Sequence, residues 1–138
     1  MTETNTRGEK HLGKNEQELL KRFKIKYPAY TTNLRADYIL LPQLGLVDSE
    51  FNNYAKNWNT LTAPRIDAVA SLPGDKPIIY EIRPKADWTA ISAVIAYREL
   101  FRQIYSYTWE IKLGIICESM SKTNRAICKM FGVAIFEV

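Results

Sequence analysis

The sequence predicts an α/β fold in which helices flank a mixed β-sheet in three layers. Two strand-like segments, 65–72 and 77–83, surround a Pro-Gly turn at residues 73–76, which indicates an antiparallel hairpin. Helical and strand-like segments alternate after it, which is typical of parallel strands joined by helices. The predicted order is helix, three strands, long helix, strand, helix and strand. We expect a single domain over residues 13–138, after a flexible polar tail at residues 1–12.

The first helix is predicted to begin at Asn15, with Glu18 three residues later as its capping-box partner, and to end near Lys24. Its apolar stripe consists of Leu19, Leu20 and Phe23. Glu16 precedes these residues by three, four and seven positions, so it lies on the same stripe. Glu16 is therefore the acidic residue that this helix points towards the core.

A strand is predicted over residues 34–41, where Pro42 ends it. The spacing of Phe51, Tyr54 and Trp58 in the following segment fits one short amphipathic helix. These aromatic side chains would either form a small additional core or stack on nucleotide bases, and the sequence leaves both alternatives open.

Asp87 is predicted to cap the longest helix, over residues 88–107, whose first half is apolar almost all round. Such a helix packs deeply against a sheet. The remaining elements are predicted at 111–117 (strand), 122–130 (helix, stopped by Gly132) and 133–138 (strand).

Size and charge limit the class of protein. The chain has 138 residues and is 46% hydrophobic, which suits one domain with a core. Its net charge is +4, and residues 1–26 carry seven Lys/Arg against four Asp/Glu, which is compatible with a polyanionic partner. Cys117 and Cys128 are expected to be reduced and buried, so neither a disulfide scaffold nor a zinc site is indicated. With no leader and no membrane span visible, we expect a cytoplasmic protein.

The hairpin carries two acidic residues within otherwise apolar strands. Its tight turn places Asp67 opposite Glu81 and Val69 near Ile79. Facing Cβ atoms in such a pair lie roughly 5 Å apart, and two carboxylates at that distance repel unless a cation or a proton lies between them. Arg83, two residues after Glu81, shares its face of the strand. This pattern predicts a metal site, and the alternative is a hydrated acid pair on a solvent-facing strand.

A helix with an inward Glu16, a hairpin with Asp67 and Glu81, a long helix and a further strand together resemble the PD-(D/E)xK nuclease superfamily. That superfamily has the restriction-endonuclease-like fold, and the resemblance covers roughly residues 13–138. Ile66 precedes Asp67, where the motif often has Pro.

Two segments indicate which branch of the superfamily the chain resembles. Residues 13–19 (GKNEQEL) resemble the first-helix motif of Holliday-junction resolvases, in which the matching Glu is an acidic residue of the metal site. Residues 80–87 (YEIRPKAD) resemble phage-type members. The resemblance therefore implies a phage or viral protein of the resolvase and phage-type branch.

The resemblance also implies a function: hydrolysis of phosphodiester bonds in DNA with Mg²⁺, or Mn²⁺, as cofactor. Asp67, Glu81 and the Ile82 carbonyl would bind the metal, with Glu16 as an outer or second-metal ligand. Arg83 would stabilise the nucleophile and the developing charge.

The partner implied is DNA, without any membrane contact. Lys21, Lys24 and Lys26 would contact the DNA backbone, and Lys85 would join them, although Pro84 is expected to bend the chain before it. The protein would act as a homodimer or as a subunit of a larger assembly, in the host cytoplasm or in a virion if it is virally encoded.

Two departures from the motif leave the activity open. Arg83 replaces the motif's Lys, and Ala93 occupies a position where phage-type sequences often have Gln, with Tyr97 one turn later. A guanidinium suits phosphate but cannot act as a general base. Three hypotheses follow: a nuclease of low activity, a degenerate nuclease fold that serves as a structural or interaction subunit in a viral or DNA-processing assembly, and a non-catalytic nucleic-acid binder. In the second, Arg83 would pair with Glu81 or Asp67 in place of a metal.

Overall fold

The computed structural model describes residues 12–40 and 65–138. The predicted tail up to residue 11 and the predicted aromatic helix around Phe51, Tyr54 and Trp58 lie outside the described residues.

The described elements follow the predicted order, with a 3-10 turn and two short strands added. They are α1 (Lys14–Lys26), a 3-10 turn (Pro28–Tyr30), β1 (Arg35–Ile39), β2 (Arg65–Leu72), β3 (Lys76–Ile82), β4 (Lys85–Ala86), α2 (Trp88–Tyr105), β5 (Lys112–Cys117), β6 (Ser119–Met120), α3 (Lys122–Met130) and β7 (Val133–Glu137).

The main sheet is mixed, as predicted, with strand order β1-β2-β3-β5-β7. Strands β1, β2 and β3 pair antiparallel, whereas β3, β5 and β7 run parallel. The carboxyl ends of β3, β5 and β7 therefore lie at one edge of the sheet, where β2 begins. Strand β3 ends before Pro84, whose carbonyl accepts the Glu118 N–H at 2.9 Å, and the chain then forms the small parallel pair of β4 and β6.

The helices divide between the two faces of the sheet. Helix α1 buries Leu19, Leu20 and Phe23 in a core that includes Tyr80, Ile82, Ile116 and Phe136. Helices α2 and α3 cover the opposite face, where their buried residues pack with Val69, Ile79, Leu113 and Ile115. Alternate residues of β3 thus face α1 or α2, which places Glu81, next in the series after Ile79, on the α2 side.

The α1 core is a packed aromatic cluster. The rings of Phe23, Tyr80 and Phe136 lie 5.0–5.8 Å apart, centre to centre, with their planes steeply inclined. The Tyr80 hydroxyl donates to the Tyr30 carbonyl at 2.7 Å. Gly114 of β5 makes this packing possible, because a Cβ there would lie 2.9 Å from both Tyr80 and Phe136.

Three predicted helix boundaries were wrong, one of them the end of α1, which lies at Lys26 rather than near Lys24. Helix α1 is capped by Gly13 rather than Asn15, so it begins earlier, and Glu18 is not a capping-box partner. Helix α2 ends at Tyr105 because Ser106 adopts a left-handed conformation, with φ of 50°. The predicted cap at Asp87 is confirmed, since its side chain accepts the Thr89 N–H.

Cys117 and Cys128 are free and buried, as predicted. Within the part of the chain that the structure describes, no helix combines the length and hydropathy needed to cross a membrane.

Candidate active site

Asp67 and Glu81 meet where β2 and β3 stop pairing. The register Val69↔Ile79 and Ala68↔Tyr80 is the predicted one, and Asp67 and Glu81 are the next facing residues. The Asp67 Oδ2 atom accepts the backbone N–H of Ile82 at 2.8 Å. The carboxylate thus satisfies a backbone donor at the end of the hairpin ladder, and this contact fixes its position beside Glu81.

Strand β2 departs from regular alternation at Asp67. Ala68 packs in the α1 core but Ile66 packs in the α2 core, although residues two apart normally share a face. The β1 partners of these two residues, Ala36 and Tyr38, flank Asp37, which has a φ of 51°. Within this irregular part of the two strands, the Asp67 carboxylate points towards the Ile82 N–H.

Burial and mutual repulsion both oppose ionisation of Asp67 and Glu81. Glu81 is 4% exposed, and desolvation, followed by the negative charge of Asp67, raises its pKa to about 8. Burial also raises the pKa of Asp67, against the opposing effects of the Ile82 N–H, a hydrogen bond with Glu81 and the charge of Arg83. Without a cation, the two carboxyls therefore tend to keep a proton at neutral pH.

Arg83 supplies positive charge to one side of this pair. Its Nε and Nη2 atoms both lie 2.8 Å from Glu81 Oε2, so the guanidinium contacts a single carboxylate oxygen. Its Nη1 donates to Thr89 Oγ1 at 3.2 Å. The side chain remains 42% exposed, so it faces both the acid pair and the solvent.

Glu16 is the outermost of the three predicted acidic residues. It belongs to α1, which packs on the face of the sheet opposite to α2. Its negative charge raises the pKa of Asp67, but by less than burial, the Ile82 N–H, Glu81 or Arg83 change it. Its carboxylate folds back over Gly13, where an added Cβ would lie 2.5 Å from Oε2. Among the described residues, no three His, Cys, Asp or Glu side chains come together as a metal site. The carboxylate cluster is thus a pair with an outer acid.

Two solved structures share this fold. A crystal structure of a repair endonuclease from Pyrococcus abyssi has a TM-score of 0.59 and 12% identity, covering 91% of this chain and 47% of that one. A structure of an EndoMS complex with double-stranded DNA has a TM-score of 0.53 and 10% identity, covering 93% of this chain and 46% of that one. The chain spans just under half the length of these two proteins. No protein-family model and no curated protein matches the sequence.

The chain has a restriction-endonuclease-like fold. The predicted fold class is thereby confirmed: helices flank a mixed five-stranded sheet that is shared with repair endonucleases. Within this fold, Asp67 and Glu81 occupy the end of the central hairpin.

The predicted DNA-contacting lysines lie on two separate elements. Lys21, Lys24 and Lys26 are exposed on α1, whereas Lys85 is exposed in β4. Lys26 donates to the Glu137 carbonyl at 2.8 Å and lies 5.5 Å from the centre of the Tyr27 ring. Lys26 is therefore exposed but held at the end of β7.

Sequence reasoning assigned no role to three residues that contribute to the site: Tyr97, Asp37 and Arg65. The phenol of Tyr97 lies in its electrostatic field: burial, then the charges of Glu81 and Asp67, raise its pKa. The Asp37 side chain is 9% exposed and forms an ion pair at 2.5 Å with Arg65, which lies two residues before Asp67. An acidic residue inside the apolar segment LRADYILL was the available signal for Asp37, whereas Tyr97 was noted only for its place one turn after Ala93.

Proposed function

We propose that this chain is a metal-dependent nuclease that hydrolyses phosphodiester bonds in DNA. The observation that carries the proposal is the pair of Asp67 and Glu81. A buried Glu81 carboxyl beside a partly buried Asp67 carboxyl, both with raised pKa values, is costly for a fold to maintain, since each opposes ionisation of the other. Such pairs occur where a protein binds a cation or uses the acid groups chemically.

The donor set fits Mg²⁺ or Mn²⁺. These hard cations take oxygen ligands, and Mg²⁺ typically uses one or two protein carboxylates together with water and substrate phosphate. Asp67 uses Oδ2 for the Ile82 N–H, and Arg83 contacts only Oε2 of Glu81. These contacts use one oxygen of each carboxylate, and an ion would replace the proton of the hydrogen bond between the two carboxyls. The Ile82 carbonyl would help to bind the ion, with Glu16 further out. A metal bound there would polarise the scissile phosphate and lower the pKa of a bound water.

Arg83 would stabilise the negative charge that develops on the phosphate. A planar guanidinium matches phosphate geometry, and its position beside Glu81 places it next to the ion site. It keeps its proton at any working pH, so it is an electrostatic group and not a base. The chemistry therefore depends on a water and on charge stabilisation, without a protein base in the Lys position.

DNA is the proposed substrate for two reasons. The solved EndoMS structure with the same fold is a complex with double-stranded DNA. The chain also carries a net charge of +4, with basic residues concentrated in its first 26 positions.

The test is cleavage of DNA by wild type, Asp67→Asn and Asp75→Asn. Asp67→Asn keeps an oxygen for the Ile82 N–H, so the protein should fold, but it removes one metal-binding charge. Asp75→Asn makes the same chemical change at the turn end of the hairpin, where φ is 57° and Asn is well tolerated. We expect Mg²⁺- or Mn²⁺-dependent cleavage by wild type and Asp75→Asn, and none by Asp67→Asn. Equal inactivity of all three folded proteins would overturn the proposal.

One observation favours a second candidate, a degenerate nuclease fold that acts as a structural or interaction subunit of a viral or DNA-processing assembly. Arg83 contacts Glu81 at 2.8 Å and could replace the cation. Calorimetric titration with Mn²⁺ distinguishes the two candidates. Binding that Asp67→Asn abolishes supports the nuclease, whereas the absence of Mn²⁺ binding by wild type supports the subunit.

A further inference from the structure

A chain of hydrogen bonds joins the start of α2 to the acid pair. Asp87 Oδ1 accepts the Thr89 hydroxyl at 2.5 Å and the Thr89 N–H at 3.0 Å. Thr89 Oγ1 in turn accepts Nη1 of Arg83 at 3.2 Å, and Arg83 donates from Nε to Glu81. Four side chains from the end of β3 and the first turn of α2 are thus connected in one line.

The direction of each bond gives Thr89 a defined role. Its hydroxyl proton is committed to Asp87, so the oxygen presents a lone pair to Arg83. The two Thr89 hydrogen bonds lower the pKa of Asp87, which therefore stays ionised and keeps the hydroxyl turned in this direction. The helix cap thereby orients an acceptor towards the guanidinium.

The contacts of Arg83 within the described residues also show which N–H groups of its guanidinium remain available to a ligand. A guanidinium has five N–H bonds. Glu81 faces Nε and Nη2, and Thr89 accepts from Nη1. One N–H on each of Nη1 and Nη2 then has no acceptor among the described residues, and the side chain is 42% exposed, so these two groups, here called the forked edge, can donate to phosphate oxygens.

We propose that Thr89, oriented by Asp87, is a positioning residue that holds the Arg83 guanidinium across Glu81 and turns its forked edge towards a DNA phosphate. The inference rests on the proposed nuclease function. An arginine side chain has many rotamers, and contact with one oxygen of Glu81 alone would leave the guanidinium free to pivot about that oxygen. A second contact, at Thr89, fixes the plane of the guanidinium. A lysine in this position would have no plane to fix, so the role of Thr89 is linked to the arginine.

The simpler alternative is that Thr89 only stabilises the first turn of α2. Both roles predict some loss of stability when the hydroxyl is removed, but only positioning predicts an effect on Arg83. Three variants separate them. Thr89→Val removes the hydroxyl and keeps the shape, Thr89→Ser restores the hydroxyl, and Ser92→Ala removes a hydroxyl of the same turn that donates to the Thr89 carbonyl.

The first measurement is ¹⁵N relaxation of the Arg83 Nε–H group, which needs no activity. We expect its order parameter to fall in Thr89→Val and to stay at the wild-type value in Thr89→Ser and Ser92→Ala. An Arg83 that is equally ordered in Thr89→Val would overturn the inference, whatever that variant does to DNA.

The second measurement is cleavage at saturating DNA. We expect Thr89→Val to lower kcat about tenfold with little change in KM, and Thr89→Ser to restore it, because one oriented hydrogen bond contributes about this much. In an Arg83→Gln background, Thr89→Val should cause no further loss, since the two residues act as a unit. Full activity of Thr89→Val, or additive losses in the double variant, would overturn the inference.

An inactive wild type would contradict the proposed function but still leave the inference testable. In Ca²⁺, with a short DNA duplex added, the Arg83 Nε–H resonance should shift in wild type and Thr89→Ser but much less in Thr89→Val. The absence of any shift in wild type, or equal shifts in all three proteins, would overturn the inference.

Discussion

The carboxylate of Asp67 accepts the backbone N–H of Ile82 at 2.8 Å, where β2 and β3 stop pairing. Because one end of this contact is the main chain, the position of the carboxylate is set by the sheet and not by a flexible side chain. The adjacent residue of β3, Glu81, is buried and held by Arg83. The two carboxyls are thus fixed in place before any ligand binds, which reduces the reorganisation that binding or catalysis requires.

The raised pKa of Glu81 predicts how stability depends on pH. The folded protein binds this proton more tightly than the unfolded chain, whose Glu has the ordinary value of 4.5, so the free energy of unfolding should fall as pH rises from about 4.5 to about 8. The raised pKa of Asp67 acts in the same direction. Urea denaturation of metal-free protein across this range measures the effect.

Glu81→Gln provides the control for this pH dependence, because it removes both the titrating group and the repulsion. Its stability should vary much less with pH over the same range. Mn²⁺ binds the ionised pair, so its stabilisation of wild type should grow as pH rises. A wild type whose stability rises with pH over this range would contradict the account.

Gly13→Ala tests the position of Glu16. A Cβ at residue 13 would lie 2.5 Å from Glu16 Oε2, and φ of −64° suits alanine, so the substitution should move the carboxylate and leave the helix intact. We expect slower DNA cleavage with a melting temperature close to that of wild type. Glu16→Gln should lower cleavage similarly, and the double variant should be no worse than Glu16→Gln alone. Additive losses would show that Gly13 acts independently of Glu16.

Arg83→Gln should separate metal binding from catalysis. Removing the guanidinium frees Glu81 Oε2 and removes a competing positive charge, so Mn²⁺ should bind at least as tightly as in wild type. Cleavage should fall roughly 100–1000-fold, as for the loss of one well-placed group that stabilises transition-state charge. Calorimetry and cleavage assays on the same sample measure both. Weaker Mn²⁺ binding combined with unchanged cleavage would contradict the role given to Arg83.

Gly114→Ala should destabilise the α1 face of the sheet. The new Cβ would lie 2.9 Å from the rings of Tyr80 and Phe136, and neither ring can move without disturbing the aromatic cluster. Overpacking of this kind typically costs about 1–3 kcal/mol. Urea denaturation measures the loss, and adding Phe136→Leu should recover part of it. Wild-type stability in Gly114→Ala would show that the cluster is looser than its ring distances indicate.

The sequence predicted the hairpin register correctly because the turn is short and apolar residues alternate on both sides of it. Val69 therefore lies opposite Ile79, and the two acidic residues face each other. The cap at Asp87 and the helix at Lys122–Met130 were likewise predicted from local signals. These features depend on neighbouring residues, so one sequence is sufficient to find them.

The remaining parts of the site depend on contacts between distant segments. The wrong N-cap at Asn15 followed from residue preference, whereas Gly13 caps the helix. Tyr97 approaches the acid pair because α2 packs over β3, and the Asp37 contact with Arg65 joins β1 to β2. No pattern within a short segment encodes such distances. The small effect of the Glu16 charge on the pKa of Asp67 likewise depends on the layer in which α1 packs.

The most direct test of the central claim is an anomalous difference map from crystals of the protein soaked in Mn²⁺. We predict a peak between the carboxylates of Asp67 and Glu81, with Arg83 still in contact with Thr89, and no peak in Asp67→Asn. A map of wild type without density between the two carboxylates, with Arg83 alone neutralising Glu81, would contradict it.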